Sequence, residues 1–271
     1  MRKIITFARY LKDFLQYGQL RLVLAAIFYL FTGKSVIDTR IFRGKLGYFL
    51  HRKGSIDFQF GNYAYEWNVK RFMIEQGKKH DVFIDIGANI GVYTILHARN
   101  GLQCYAFEPA YDNFKALHIN LMLNNLEKEV SYYNIGLSDV PRKAVFIFDP
   151  LNTGATHLKS IPAEDPSVDE RGKLTEVELV RLDDMIEKLA IPKEKNILMK
   201  IDVEGMEAHV VKGAKKFIQN YPNLVIALES VHTGEHNIKA VLNEIAEFEY
   251  STIDDLNIAT RKISNNIKHG S

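Results

Sequence analysis

The sequence predicts a doubly wound α/β fold with a mostly parallel sheet, preceded by an N-terminal helical segment and closed by a C-terminal β-hairpin. Three observations carry that expectation. From Asp81 onward, short continuous apolar runs alternate with longer stretches of helical period, the pattern of βαβ units whose strands are buried on both faces. A turn bounded by Gly87 and Gly91 follows the first of those runs and opens a helix, as happens where such folds bind ligands. The 271 residues, 46% hydrophobic and 25% charged, suit one large domain with an added segment and a sizeable core.

The elements follow in order. Val82 to Ile86 reads as a first buried strand, 91–99 as a helix, and 103–107 as a second strand ending at Glu108-Pro109. A helix over 112–125 leads to a third strand over 130–135. The fourth strand, 197–201, ends at Asp202, and Met206, Val210, Ala214 and Phe217 then recur at helical spacing. The fifth, 224–228, ends at Glu229 and precedes a helix carrying Ile238, Val241, Leu242, Ile245 and Phe248. Residues 250–253 and 257–260, joined at Asp254-Asp255, form the hairpin. The core domain is expected over 76–271, with an insertion at 143–195 in which strands at 144–148 and 176–182 flank a stretch, 149–173, rich in Pro, Asp and Ser. A long irregular segment inside a compact domain is commonly a lid or binding loop, so the substrate is expected there.

Residues 1–75 form a helical and strand extension packed on the core. Arg2, Lys3, Arg9, Lys12 and Arg21 precede the apolar run Leu22 to Phe31, which falls short of the roughly 20 residues a bilayer span takes and lacks a cleavage site. Phe7, Tyr10, Leu11, Phe14 and Leu15 lie at i, i+3, i+4, i+7 and i+8, the stripe of an amphipathic helix. Two roles fit: packing on the domain or a second subunit in a homo-oligomer, and peripheral contact with an anionic membrane. The formal charge of +2, from 35 basic against 33 acidic residues, supplies no field for nucleic acid, so no such partner is expected. The lone Cys104 forms no internal disulfide and no cysteine zinc site, which fits a cytoplasmic location.

The chemistry starts at Asp85-Ile-Gly87-Ala88-Asn89-Ile-Gly91. The glycines permit a tight turn that brings a ligand against backbone N–H groups at a helix N-terminus. A dinucleotide fingerprint carries a second glycine where Asn89 stands, so that a pyrophosphate can approach. Asn89 therefore favours a phosphate-free ligand with an amino-acid portion, as S-adenosylmethionine has, with Asp85 accepting hydrogen bonds from its ammonium. Glu108, about 20 residues on, is placed to accept from ribose hydroxyls.

These residues resemble the FkbM-type methyltransferases, a family of class I S-adenosylmethionine-dependent enzymes with a Rossmann-like fold that mostly methylate hydroxyl groups. The resemblance rests on the run Val82 to Tyr93, Phe107-Glu-Pro109, Asn134 to Asp139, Leu182-Asp-Asp184 and Lys200 to Glu207. It implies Asp85, Gly87, Ala88, Asn89, Gly91 and Glu108 as cofactor contacts, with Leu137 and Ser138 beside the adenine. It says little about residues 1–60.

Lys200-Ile-Asp202-Val-Glu204-Gly205-Met-Glu207 forms a second constellation at the carboxyl end of the fourth strand, where open α/β sheets bind ligands. Methyl transfer needs an acceptor in line with the methyl carbon and a group to take its proton. Asp202 is the first candidate for base or substrate orienter, followed by Glu204 and Lys200, with His157 reaching in from the insertion. Asp202, Glu229 and His232 together offer donors that could hold Mg²⁺, but no close-spaced ligand motif occurs, so Mg²⁺ is possible and not favoured. The expected activity is O-methylation of a hydroxyl on a sugar, glycan or small metabolite. The alternatives are N-methylation or a lipid-linked acceptor at a membrane. A nicotinamide oxidoreductase is disfavoured by Asn89, and a binding module without catalysis by the intact acid set.

Overall fold

A computed structural model of the chain describes residues 2–161 and 166–263. The chain opens with α1 (Arg2–Gln16) and α2 (Leu20–Thr32), a hairpin of β1 (Arg40–Gly44) and β2 (Gly47–His51), α3 (Asp57–Phe60) and α4 (Trp67–Gly77). Then come β3 (Val82–Ile86), α5 (Val92–Ala98), β4 (Gln103–Phe107), α6 (Tyr111–Leu123) and β5 (Val130–Tyr133). The insertion holds β6 (Gly136–Leu137), β7 (Arg142–Phe148), β8 (His157–Leu158), α7 (Pro166–Arg171), β9 (Lys173–Val180), a 3₁₀ turn (Leu182–Met185) and α8 (Ile186–Leu189). The chain closes with β10 (Ile197–Ile201), α9 (Glu207–Gly213), α10 (Lys215–Asn220), β11 (Leu224–Glu229), α11 (Glu235–Asn243), β12 (Phe248–Thr252) and β13 (Asn257–Lys262).

A seven-stranded sheet in the order β12-β13-β11-β10-β3-β4-β5 forms the centre. Its five strands from β11 to β5 run parallel, and the C-terminal hairpin adds β13 antiparallel to β11. β3 and β10, whose register pairs Asp85 with Lys200, are buried at every position because helices cover both faces of the sheet. Chain order reverses between them, so their carboxyl ends open a crevice at the topological switch point.

Four details differ from the sequence expectation. The third strand stops at Tyr133, where the Asn134 side-chain amide donates to the carbonyls of Glu108 and Pro109 and turns the chain away. The helix after β10 breaks at Ala214, directly after Gly213, which packs on the Ser138 carbonyl where a Cβ would lie 2.0 Å away. Phe248 belongs to β12 rather than to the preceding helix. The stretch 149–173, expected to be irregular, contains β8 and α7, and β6, β9, β7 and β8 form a second sheet beside the crevice. Residues 162–165 of that stretch lie outside the described residues.

The N-terminal extension shares the core on one side of the main sheet: Phe14, Leu22, Phe42, Phe49 and Phe58 pack in one cluster with Phe83 and Val92. Buried Asp13 pins α1 by accepting from the backbone N–H groups of Lys45 and Tyr63 at 3.1 and 2.7 Å. Among the described residues no helix is long and apolar enough to cross a membrane.

Candidate active site

The turn after β3 is shaped by what it touches. Gly87 has φ +83°, and a Cβ there would sit 1.8 Å from the Asp202 carbonyl oxygen, so only glycine lets the β3 and β10 ends approach this closely. Gly91, at φ +86°, would drive a Cβ to 2.3 Å from Leu117 on α6. Asn89 between them is also left-handed, at φ +50°, and its N–H donates to Glu108 Oε2 at 2.8 Å. The other Glu108 oxygen accepts from Ala110 N–H at 2.9 Å. Burial pushes the Glu108 carboxyl up to about 7 despite those two donors.

Two lobes open along the strand ends. The first, of about 520 Å³, is lined by Phe107, Glu108, Asn113, Leu137 and Met206. The second, of about 740 Å³, is lined by Tyr65, Glu66, Lys70, Asp85, Tyr93 and Lys200. Gly87, Asn89, Gly154, Asp202 and Glu204 line both and form the wall between them.

That wall is strongly charged. Lys200 Nζ donates to Asp202 at 2.5 Å and sits over the Tyr93 ring, 4.7 Å from its centroid. Burial opposes the Lys200 charge, but Asp202, Glu66 and Asp85 together hold it protonated above its ordinary range. Asp202, although buried, is kept below the usual carboxylate value by Lys200 and by a hydrogen bond with Glu229. Burial followed by the nearby Asp202 and Glu204 charges pushes Glu229 up to about 10, so it holds the proton of that pair. Glu204 stands 3.0 Å from His232 Nε2, and burial raises its carboxyl above the ordinary value even so. Glu204 and Gly205 occupy successive left-handed positions, at φ +51° and +97°. Glu207 clamps this loop by accepting from the N–H groups of Val203 and Gly205 and from the Thr233 hydroxyl. Asp85, which accepts from the Thr94 hydroxyl at 2.6 Å, is pushed by burial up to about 6.

Of the residues singled out from sequence, Asp85, Gly87, Ala88, Asn89, Glu108, Leu137, Lys200, Asp202 and Glu204 all line the two lobes. Gly91 does not line them and acts through the turn. Ser138 is fully buried, its hydroxyl donating to Asp139, and lines neither lobe. His157 is likewise not a loop residue reaching in from above. It is buried in β8 with Nδ1 2.9 Å from the Ala155 carbonyl, and Thr153, Gly154, Ala155 and Thr156 line the lobes instead. Glu204, not Asp202, joins Glu229 and His232 in a set of donor atoms that lie within 4.8 Å of one another. Sequence reading left Lys70 and Tyr93 unassigned. Lys70 is fully buried, donates to the Tyr65 carbonyl, and is lowered by burial to about 8.

The residues present fit S-adenosylmethionine. Glu108 retains unused acceptor capacity beside an apolar lobe, and the buried Asn89 Oδ1 has no hydrogen-bond partner among the described residues. A model of the methyltransferase FkbM domain matches residues 85–252, more than half of the chain. The chain belongs to the FkbM methyltransferase family. An FkbM methyltransferase takes its methyl group from S-adenosylmethionine, and that is the enzyme class of this protein. The FkbM chain is similar to the hexuronic acid methyltransferase AglP of Haloferax volcanii, 29% identical over 187 residues that cover 69% of this chain and 70% of AglP. It is also similar to the methyltransferase sdnD of Sordaria araneosa, 32% identical over 154 residues, 48% of this chain and 59% of sdnD. A solved FkbM methyltransferase from Methylobacillus flagellatus aligns with a TM-score of 0.46 at 16% identity, over 67% of this chain and 43% of that one.

Proposed function

We propose that the protein is an O-methyltransferase acting on a hydroxyl of a sugar, with Glu204 as the proton acceptor. The observation that carries this reading is the position of Glu204 on the wall shared by the two lobes, paired with His232 and raised in pKa. A base must reach the acceptor oxygen while that oxygen faces the methyl carbon, and only a group on the shared wall adjoins both sites. Bound S-adenosylmethionine supplies a methyl carbon on a positively charged sulfur that leaves as a neutral thioether.

Glu108 binds the ribose hydroxyls, and Asp85 with Asn89 holds the amino-acid portion. Asp202 is fixed by Lys200 and lowered in pKa, which makes it a poor base and a good acceptor for a second substrate hydroxyl. Glu204 takes the proton as the acceptor oxygen gains its carbon, and His232 stabilises the carboxylate beforehand. The similarity to AglP, whose name states a hexuronic acid as its acceptor, supports a sugar here.

Replacing Glu204 tests the assignment. Glu204→Gln should lower turnover by roughly 10²- to 10⁴-fold, the usual contribution of a positioned base, while cofactor titration stays at the wild-type value. Undiminished turnover in Glu204→Gln removes it from the chemistry.

A further inference from the structure

The outer face of α2 has no use in the catalytic account. Its inner face, Leu22, Val23, Ala25 and Ala26, is buried in the core shared with the main domain. Its outer face is also apolar: Leu20, Leu24, Leu30 and Phe31 are 59, 60, 67 and 81% exposed, and Ile27 and Phe28 are exposed beside them. At about 100° per residue, Leu20, Leu24, Ile27 and Phe31 fall within roughly 60° of one another, with Phe28 and Leu30 on either side. Arg21 borders this stripe and is exposed. A contiguous apolar stripe of this size on a helix that is already anchored marks an interaction surface.

Charge decides what covers it. Residues 1–37 contain Arg2, Lys3, Arg9, Lys12, Arg21 and Lys34 against a single acid, Asp13. That acid is buried and occupied by the Lys45 and Tyr63 N–H groups, so it neutralises nothing at the surface. A second copy docked through the same stripe would bring two sets of these cations together with no acid in the segment to offset them. An anionic lipid surface offers apolar depth for Leu24 and Phe31 and negative charge for the flanking cations, the two signals that together give stable peripheral attachment.

We propose that the outer face of α2 docks the protein onto an anionic lipid bilayer, with Leu20, Leu24, Ile27, Phe28 and Phe31 entering the interface and Arg21, at the border of the stripe, facing the headgroups. This proposal does not depend on the identity of the methyl acceptor.

Co-sedimentation of the full chain with vesicles tests it, comparing phosphatidylcholine alone with phosphatidylcholine containing phosphatidylserine. The protein should pellet with the anionic vesicles and be released by high salt. Leu24→Gln combined with Phe31→Gln should weaken that binding at least tenfold, and Arg21→Gln severalfold, with cofactor affinity unchanged in both. If the double variant fails to fold, the Arg21→Gln and salt arms decide alone. Equal binding to neutral and anionic vesicles, or no vesicle binding at all, overturns the proposal. So does a wild-type dimer in light scattering that Leu24→Gln with Phe31→Gln converts to a monomer without any vesicle binding, because a second copy then covers the face.

Discussion

Glu108 should make cofactor affinity depend on pH in a calculable way. Its carboxyl is buried, accepts from the Asn89 and Ala110 N–H groups, and sits at about 7 rather than 4.5 in the ligand-free protein. Ribose hydroxyls donate to the ionised form, so cofactor binding favours the carboxylate and releases its proton. With a free-state value of about 7, roughly one carboxyl in eleven is ionised at pH 6 and ten in eleven at pH 8, so affinity should rise about tenfold, or ~1.4 kcal/mol, across that interval. Folding responds with its own sign. Between about 4.5 and 7 the folded protein holds a proton on Glu108 that the unfolded chain has lost, so the stability from this group is present at low pH and disappears as pH rises through that window. The assay is calorimetric titration with S-adenosylhomocysteine at the two pH values in buffers of different ionisation enthalpy, which counts the proton released. Glu108→Gln should lose roughly 10- to 150-fold in affinity at pH 8, equivalent to about 1.5–3 kcal/mol for charged hydrogen bonds, and should bind with no pH dependence from this site. A wild-type affinity that is flat from pH 6 to pH 8, or a Glu108→Gln variant that binds like wild type, refutes the reasoning.

Two further outcomes are expected. Asp57 is fully buried and accepts from Arg52 Nε and Nη2 at 2.7 and 2.8 Å and from the Thr153 hydroxyl at 3.0 Å, which ties the insertion to α3 beside the first lobe. Asp57→Ala leaves the Arg52 charge without its partner and should cost about 3–5 kcal/mol, lowering the melting temperature by roughly 10 °C, so a change under about 2 °C contradicts this role. Chelation should leave turnover intact, because Glu204 acting as the proton acceptor cannot at the same time ligate a divalent ion with Glu229 and His232. Loss of activity in EDTA that Mg²⁺ or Mn²⁺ restores would show instead that these three residues bind metal.

The central strands and the acids at their ends were legible because a strand buried on both faces must be a continuous apolar run, and a polar residue ending that run must face the crevice. Val82 to Ile86 with Gly87, and Ile197 to Ile201 with Asp202, state both facts in a few residues. Side-chain direction was not legible. Leu137 and Ser138 are neighbours in sequence, yet the alternation of an extended chain points one into the first lobe and the other away. His157 reads as a loop residue in the sequence because its two-residue strand is too short to carry a period. The far wall was hidden for another reason: Lys70 stands in an ordinary helical pattern, and only long-range packing of α4 against α5 buries it beside Tyr93. The pair Glu204-Gly205 did carry a signal, since a glycine directly after a strand-end acid permits the left-handed turn that both residues adopt.

The destination of the methyl group decides between O-methylation of a sugar and every alternative. Incubating the protein with methyl-labelled S-adenosylmethionine and a panel of glycans, then hydrolysing the product in alkali, separates the cases. Transfer to a sugar hydroxyl predicts label retained as an alkali-stable methyl ether and lost in Glu204→Gln. Label released as methanol, or recovered on nitrogen, would contradict O-methylation of a sugar hydroxyl.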